Sequence, residues 1–134
     1  MTAADLHAAL LARLTGATVT LYDGEVPPHP PADPQGRVYP YVVVWATAGR
    51  PTVERPVSDD PGGHLTWNPQ VTVVAGTTSW LLAAIGVVRE RLEGAALTPW
   101  VRLRERTDTE VPVQKDPDTT PARYFLPLYY STTA

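Results

Sequence analysis

The distribution of proline constrains this chain more than any other feature of its sequence, because proline removes a backbone donor and fixes φ. The chain has 15 prolines in 134 residues, and five of them fall in the run DGEVPPHPPADPQG at residues 23–36. Neither a helix nor a sheet can persist there, so we predict an extended, partly polyproline arm. A proline-rich ligand for a recognition domain is the alternative, although no flanking arginine fits that role well.

Prolines also mark three other places. Residues 48–63 contain Pro51, Pro56 and Pro61 together with glycine and aspartate pairs. Such turn chemistry predicts a projecting loop or hairpin, centred on residues 52–57. Pro69 and Pro127 lie inside apolar runs. Pro69 indicates a bulge or an edge position, and Pro127 indicates an edge strand or a break in the ladder.

Two segments have the apolar spacing of a helix. Residues 2–15 begin with Thr2 and Asp5 at capping-box spacing and carry leucines at every fourth position. Residues 78–93 carry a stripe at i, i+4, i+7 and i+11 that consists of Leu81, Ile85, Val88 and Leu92. A second, shorter stripe of this helix consists of Trp80, Ala84 and Val87. One stripe can cover a sheet while the other meets a partner.

The remaining apolar segments are predicted strands, at residues 18–22, 39–47, 64–76, 100–106, 110–114 and 123–132. The second of them, YPYVVVWAT, is apolar on both faces and should be a central strand. As one strand, residues 64–76 would span about 40 Å and reach past its own domain. The element order predicts one domain, residues 1–134, of the α+β class, with a mainly antiparallel sheet flanked by two helices.

Composition argues against several classes of protein. The net charge of −3 disfavours a general nucleic-acid binder, which usually carries a basic excess. There is no cysteine, so a disulfide, a thiolate nucleophile and a cysteine-ligated metal are impossible. The longest apolar run, residues 80–88, is far shorter than the ~20 residues of a membrane span. We therefore expect a soluble, unsecreted protein without a membrane partner.

The residue clusters that common catalysis requires are missing from the sequence. It has no GxSxG elbow and no GK[ST] loop. Its histidines, His7, His29 and His64, lack the i, i+4 spacing of a zinc-binding helix. The acidic groups Asp59 with Asp60, and Asp116 with Asp118, are interpreted as solvated turn residues. We expect no enzymatic activity, no cofactor and no metal.

One strand carries an arginine face. Residues 100–106 alternate so that Arg102, Arg104 and Arg106 share one side. Three cations on one strand face repel one another unless acids or an anionic partner oppose them. They could meet phosphate, a carboxylate-rich neighbouring subunit, or acids on an adjacent strand of the same chain, and the sequence leaves all three open.

The order of these elements carries a family resemblance. PYVVVW at residues 40–45, QVTVVAGTTSWLLAAIGVVRERLEG at 70–94 and RYFLPLYYS at 123–131 resemble the tail terminator proteins of long-tailed phages, including small minor tail proteins of actinobacterial phages. The likeness covers nearly the whole chain. It implies a structural virion protein that assembles in the host cytoplasm and forms a hexameric ring. Such a ring caps the tail tube at the tail-neck junction and joins it to the head connector.

The resemblance also implies where contacts lie. The subunit interface would include Trp80, Val87 and Arg91, and the arginine face would meet an acidic partner. The tail-tube protein would contact the projecting segment through Thr52, Val53, Glu54, Arg55 and Val57. The negative net charge suits a lumen through which genomic DNA passes without specific binding. The alternatives are another neck or tail-tube component, such as a head-closure protein, and a small ligand-binding or enzymatic α+β domain.

The second stripe of the helix at residues 78–93 gives a testable prediction. We expect Val87→Asp to abolish ring formation or tail completion while leaving the fold mostly intact, because a buried charge at an interface is costly. Electron microscopy of assembled tails, with circular dichroism of the purified variant, measures both effects. A variant that simply unfolds would place Val87 in the core and refute its assignment to the interface.

Overall fold

The computed structural model describes residues 2–51, 65–106 and 110–133. Two helices lie in these ranges, α1 (Ala3–Leu14) and α2 (Thr78–Leu92). The strands described are β1 (Thr20–Asp23), β2 (Tyr41–Trp45), β3 (Arg50–Pro51), β4 (Leu65–Thr66), β5 (Gln70–Ala75), β6 (Ala96–Thr98), β7 (Val101–Glu105), β8 (Gln114–Asp116) and β9 (Arg123–Thr133).

Seven of these strands form one sheet in the order β1-β2-β5-β9-β7-β6, and β8 pairs with β9 beside β7. The β1–β2 pair is parallel, and the other pairs are antiparallel. The long strand β9 joins the two halves of the sheet, because it pairs with β5 on one side and with β7 and β8 on the other. The predicted α+β class with a mainly antiparallel sheet and two helices is confirmed.

Both helices begin at threonine caps. The Thr2 hydroxyl accepts the Asp5 N–H at 3.2 Å, and the Asp5 carboxylate accepts the Thr2 N–H at 2.9 Å, which confirms the predicted capping box. The Thr77 hydroxyl accepts the Trp80 N–H at 3.1 Å. These bonds satisfy donors that the first helical turn leaves free, and each cap is typically worth about 1 kcal/mol.

The helices cover one face of the sheet. Leu6, Leu10 and Leu14 of α1 are buried, as is the predicted stripe of α2. They share a core with Val42 and Val44 of β2 and with alternate residues of β5 and β9. Ala84, predicted on the second stripe of α2, is only 3% exposed and belongs to this core. The second stripe of α2 therefore has fewer residues outside the core than its spacing predicted.

The proline arm, residues 23–36, covers part of the opposite face. Val26 packs against a smaller core cluster that contains Tyr41 and Val43. Pro30 is buried, and the Pro31 carbonyl accepts the Tyr39 N–H at 3.0 Å. As predicted, no helix forms between β1 and β2. The β pairing of this segment is limited to an isolated bridge between Ala32 and Val38. The arm folds back as a second covering layer.

The single strand predicted at residues 64–76 is wrong, because the chain breaks between β4 and β5. Trp67 turns inward at the break, where its indole N–H donates to the Thr47 carbonyl at 2.9 Å. Pro69 has no N–H to continue a ladder, and its carbonyl accepts the Tyr130 N–H at 3.0 Å. β4 instead pairs with β3. Residues 52–63 of the loop or hairpin predicted at 48–63 lie outside the described residues.

Pro127 marks a break in the ladder, one of the two alternatives predicted for it. It pairs with Thr72 of β5 on one side. On the other side the pairing with β8 ends at Phe125 and the pairing with β7 begins at Tyr130, so the missing donor falls where β9 has no strand partner. The strand predicted at residues 110–114 is also wrong. Pro112 interrupts it, and β8 forms two residues beyond that proline.

Two leucines, each inside a helix, test the burial pattern. Leu10 is 0% exposed and Leu82 is 60% exposed. We expect Leu10→Ala to lower the free energy of unfolding by about 2–5 kcal/mol because it leaves a cavity. Leu82→Ala should change the free energy by about 0.5 kcal/mol or less. Urea unfolding of both variants measures the difference, and equal losses would contradict this assignment of the core.

Candidate interaction surfaces

The proline arm leaves uncovered a part of the sheet face that lies opposite the helices. There Trp45, Gln70 and Tyr129 stand in register across β2, β5 and β9. Trp45 is 42% and Tyr129 43% exposed. The Trp45 indole N–H donates to the Thr72 hydroxyl at 3.0 Å. We call this row, with Thr72, the open face; exposed aromatic side chains of this kind are enriched at interfaces between proteins.

The predicted arginine face of β7 adjoins the open face. Arg104 pairs with Ser131 of β9, which lies two residues beyond Tyr129 and on the same side of the sheet. Nη1 of Arg104 lies 3.4 Å from Oε1 of Glu93, and Arg102 donates to the Gly94 carbonyl at 3.2 Å. The acid that Arg104 meets therefore follows α2 and does not belong to an adjacent strand. The exposed Arg104–Glu93 pair contributes at most about 1 kcal/mol.

Glu93 also protects an open strand edge. β6 pairs with β7 only as far as Arg102, so the N–H of Glu105 has no strand partner on that side. The Oε2 of Glu93 accepts this N–H at 3.0 Å. One carboxylate therefore holds the end of β7 to the end of α2.

A second ion pair joins α2 to β7. The Arg89 guanidinium donates through Nε at 3.1 Å and through Nη2 at 3.0 Å to the same oxygen of Glu105. Glu105 is largely covered, whereas Arg89 is half exposed. The pair lies next to buried Tyr130, whose hydroxyl has no hydrogen-bond partner among the described atoms. Burial raises the pKa of Tyr130 well above its usual range, so this hydroxyl stays protonated at physiological pH.

Trp80 is held by contacts within the chain. Its ring stacks on Tyr39 with a centroid distance of 5.7 Å, and the Arg37 guanidinium lies 5.2 Å from the ring centroid. Arg37 in turn makes an ion pair with Asp33 of the proline arm at 2.7 Å. This cluster therefore fastens the arm to the first turn of α2.

The residues predicted for the subunit interface do not form one patch. Trp80, Val87 and Arg91 lie on α2, which packs on the first sheet face, and only Arg91 of the three is exposed. Arg102 and Arg104 lie on the opposite side of the sheet, and both are exposed. Arg106, also exposed, follows β7, and its N–H donates to the Tyr129 carbonyl at 2.8 Å. The five residues predicted to contact the tail tube all lie outside the described residues.

A groove opens where β7 and β8 separate along β9. Its volume is about 430 Å³, and the Arg89–Glu105 pair lies on its wall. The apolar lining includes Leu82, Ile85, Val111, Val113, Leu126 and Leu128. Sequence reasoning missed this groove, because it depends on where two strands leave a third.

The polar residues weighed for catalysis and metal binding are distributed as follows. His7 contacts the Asp23 carboxylate at 2.7 Å, a pairing of helix and strand that no local spacing indicated. Asp116 accepts the Asp118 N–H at 2.9 Å, as expected of a turn. Among residues 2–51, 65–106 and 110–133, no group of three His, Asp or Glu side chains is placed to hold a metal ion. Asp59, Asp60 and His64 lie outside those ranges.

Comparison with known proteins gives no family assignment, since neither a protein-family profile nor a curated protein matches the chain. In the part of the chain that the structure describes, neither helix has the length and apolar character needed to cross a bilayer.

The contact between Asp33 and Arg37 predicts a pH dependence of stability. Partial burial raises the pKa of Asp33, but the hydrogen bonds and the charge of Arg37 outweigh that effect and hold the pKa below its usual value. A carboxyl with a lowered folded pKa stabilises the protein fully above its unfolded pKa of about 3.9. This contribution disappears as the pH falls through the lower folded value.

We therefore expect Asp33→Asn to be less stable than the original chain near neutral pH, and the difference should vanish as the pH falls below the lowered folded pKa of Asp33. Urea unfolding across this range measures the difference, with exposed Asp118→Asn as the control. A constant difference between Asp33→Asn and the original chain at all pH values would contradict the role of the carboxylate charge.

Proposed function

We propose that this chain is a structural subunit of a phage tail, a tail terminator that forms a hexameric ring at the tail-neck junction of the virion. The observation that carries the proposal is the open face. Two half-exposed aromatic side chains, Trp45 and Tyr129, lie in one row on the part of the sheet that neither the helices nor the proline arm cover. Exposed aromatic rows of this kind favour contact with another protein.

The distribution of covered and uncovered surface supports an assembly role. The helices occupy one face, the proline arm part of the other, and the open face and the arginines of β7 are left for partners. A ring subunit needs separate surfaces for two neighbours and for axial partners. In the proposed terminator these partners are further copies of the chain, the tail-tube protein and the head connector. The resemblance of the sequence to tail terminators favours this assembly over others.

A head-closure protein or another tube component is the nearest alternative. It would use the same exposed surfaces, so the position of the ring on the particle separates the two. A terminator lies at the head-proximal end of the tube and stops its growth, whereas a head-closure protein lies on the head side and leaves tube length unchanged.

The groove beside Pro127 favours a different alternative, a small ligand-binding domain. Its volume of about 430 Å³ falls in the range of small-molecule sites, and its apolar lining with one ion pair is typical of them. Under this alternative the chain stays monomeric, and a ligand raises its melting temperature.

Assembly of tail tubes tests the proposed function. We expect that tail-tube and tape-measure proteins produced together with this chain give tubes of uniform length, each ending in a six-fold ring. Without the chain, the tubes should vary in length. Negative-stain microscopy measures both properties, and tubes whose length ignores the chain would refute a terminator.

A pair of variants focuses this test on the open face. Tyr129 and Leu82 are both exposed, at 43% and 60%, but only Tyr129 lies on the open face. We expect Tyr129→Ala to reduce the fraction of capped tubes, because interface aromatic residues commonly contribute more than 1 kcal/mol. Leu82→Ala should leave that fraction unchanged. Equal effects of the two substitutions would contradict a role of the open face in capping the tubes.

A further inference from the structure

Helix α1 contacts both edge strands of the six-strand path β1-β2-β5-β9-β7-β6. Near its start, His7 contacts Asp23 at the end of the edge strand β1. Near its end, Arg13 donates to the Ala96 carbonyl of the opposite edge strand β6 at 2.8 Å. One helix therefore contacts both edges of this strand order, and charges of opposite sign lie at these two edges.

The β1 edge is acidic and rich in proline. Asp23 ends the strand, and exposed Glu25 follows it at the start of the proline arm. The next exposed residues along the arm are Pro27 and Pro28. Asp5, in the first turn of α1, adds a third carboxylate at this end of the helix. We call this surface the acidic edge.

The β6–β7 edge is basic and carries an exposed tryptophan. Arg13 and Arg102 donate to the backbone carbonyls of Ala96 and Gly94, which are two residues apart in the chain. In the described part of the chain neither guanidinium contacts a carboxylate. Trp100, in the turn between β6 and β7, is 77% exposed, the largest value among the exposed large hydrophobic side chains. We call this surface the basic edge.

We propose that the basic edge of one copy of this chain binds the acidic edge of the next copy, with Trp100 packed on Pro27 and Pro28 and with Arg102 facing Glu25. The two edges match in two independent ways. Unneutralised cations meet carboxylates, which favours correctly oriented encounter. A tryptophan also meets adjacent prolines, the combination that proline-recognising grooves use.

The position of the two surfaces favours a second copy as the occupant. They lie on opposite edges of one sheet, so an interface that uses both is head-to-tail, and every subunit can offer one edge to each neighbour. Contacts of this type produce closed rings when the rotation per subunit closes. The inference rests on the proposed ring and identifies the surfaces that join its subunits.

The contact is made by side chains and not by a continuous sheet. Arg13 covers the outward Ala96 carbonyl of β6, so a strand from the next copy cannot pair there. Trp100 and Arg102 therefore carry the basic side of the contact, and a tryptophan with an arginine is the composition expected of its energetic centre.

Self-association of the purified full chain tests the proposal. Sedimentation velocity measures it at protein concentrations up to the solubility limit. We expect Trp100→Ala to weaken association about 30-fold, the effect of removing a central interface residue. Arg102→Glu and Glu25→Arg should each weaken it roughly tenfold, because every contact would then join like charges. Lys115→Glu and Asp118→Arg are charge reversals at exposed positions of β8 and the turn after it, which belong to neither defined edge surface, and they should leave association unchanged.

Recombining the two charge reversals gives the sharpest readout. In the double variant Glu25→Arg with Arg102→Glu, every contact again joins opposite charges, so association should recover. An equal mixture of the two single variants should recover as well, because alternating copies join Glu with Arg at every contact. Only rings with an even number of subunits can alternate completely.

The outcomes separate this inference from the proposed function. If Trp100→Ala and both charge reversals leave association unchanged, the edge-to-edge contact is wrong, even if the chain caps tail tubes. A chain that stays monomeric at all concentrations also overturns it, because both edges are already formed in one subunit. If the variants behave as expected while tube length ignores the chain, the contact is correct and the terminator function is wrong.

Discussion

The burial of strand β2 on both of its faces is the constraint on which the rest of this structure depends. Val42 and Val44 face the helices, while Tyr41 and Val43 face the other way, and all four are buried. An apolar strand of this kind needs two covering layers. The helices supply one layer. The chain has no third helix among its described residues to supply the other, and the proline arm takes that place.

Proline suits a covering layer that is not itself regular structure. Its ring buries apolar surface, and it has no N–H that would need a partner away from water. Its fixed φ also lowers the entropy lost when the segment becomes ordered. The arm stays in place through a few specific contacts, the Tyr39–Pro31 hydrogen bond and the links from Asp33 through Arg37 to Trp80. The run that seemed to forbid structure is therefore part of the fold.

Local sequence signals predicted the helices. Most of the features that these signals did not predict depend on strand pairing between residues far apart in the sequence. Capping residues and leucine spacing lie within a few residues of one another, so both helices and their buried faces could be predicted. Trp67, Val71 and Val73 of the strand predicted at residues 64–76 do lie in the main core, although that strand is interrupted. Neither the break at Pro69 nor the shift of β8 past Pro112 follows from alternation, because each depends on which neighbours a strand meets.

The candidate surfaces were harder to predict for the same reason. The row of Trp45, Gln70 and Tyr129 exists only because three strands distant in the sequence share one register. The sequence showed an arginine face on β7, but the partner of Arg104 proved to be the residue after α2. His7 and Asp23 are 16 residues apart and meet only because α1 lies across β1. Such contacts require the folded arrangement of the elements.

The place of β9 in the sheet has a consequence for how the chain is made. A ribosome synthesises it after every other described strand, yet it lies between β5 and the pair formed by β7 and β8. Until it emerges, β5 and β7 each have one unpaired edge and the apolar face beneath the helices is incomplete. A nascent chain in this state is exposed to wrong pairing with its neighbours. Folding must therefore wait for the final segment, and a polysome that crowds many such chains together is where aggregation would begin.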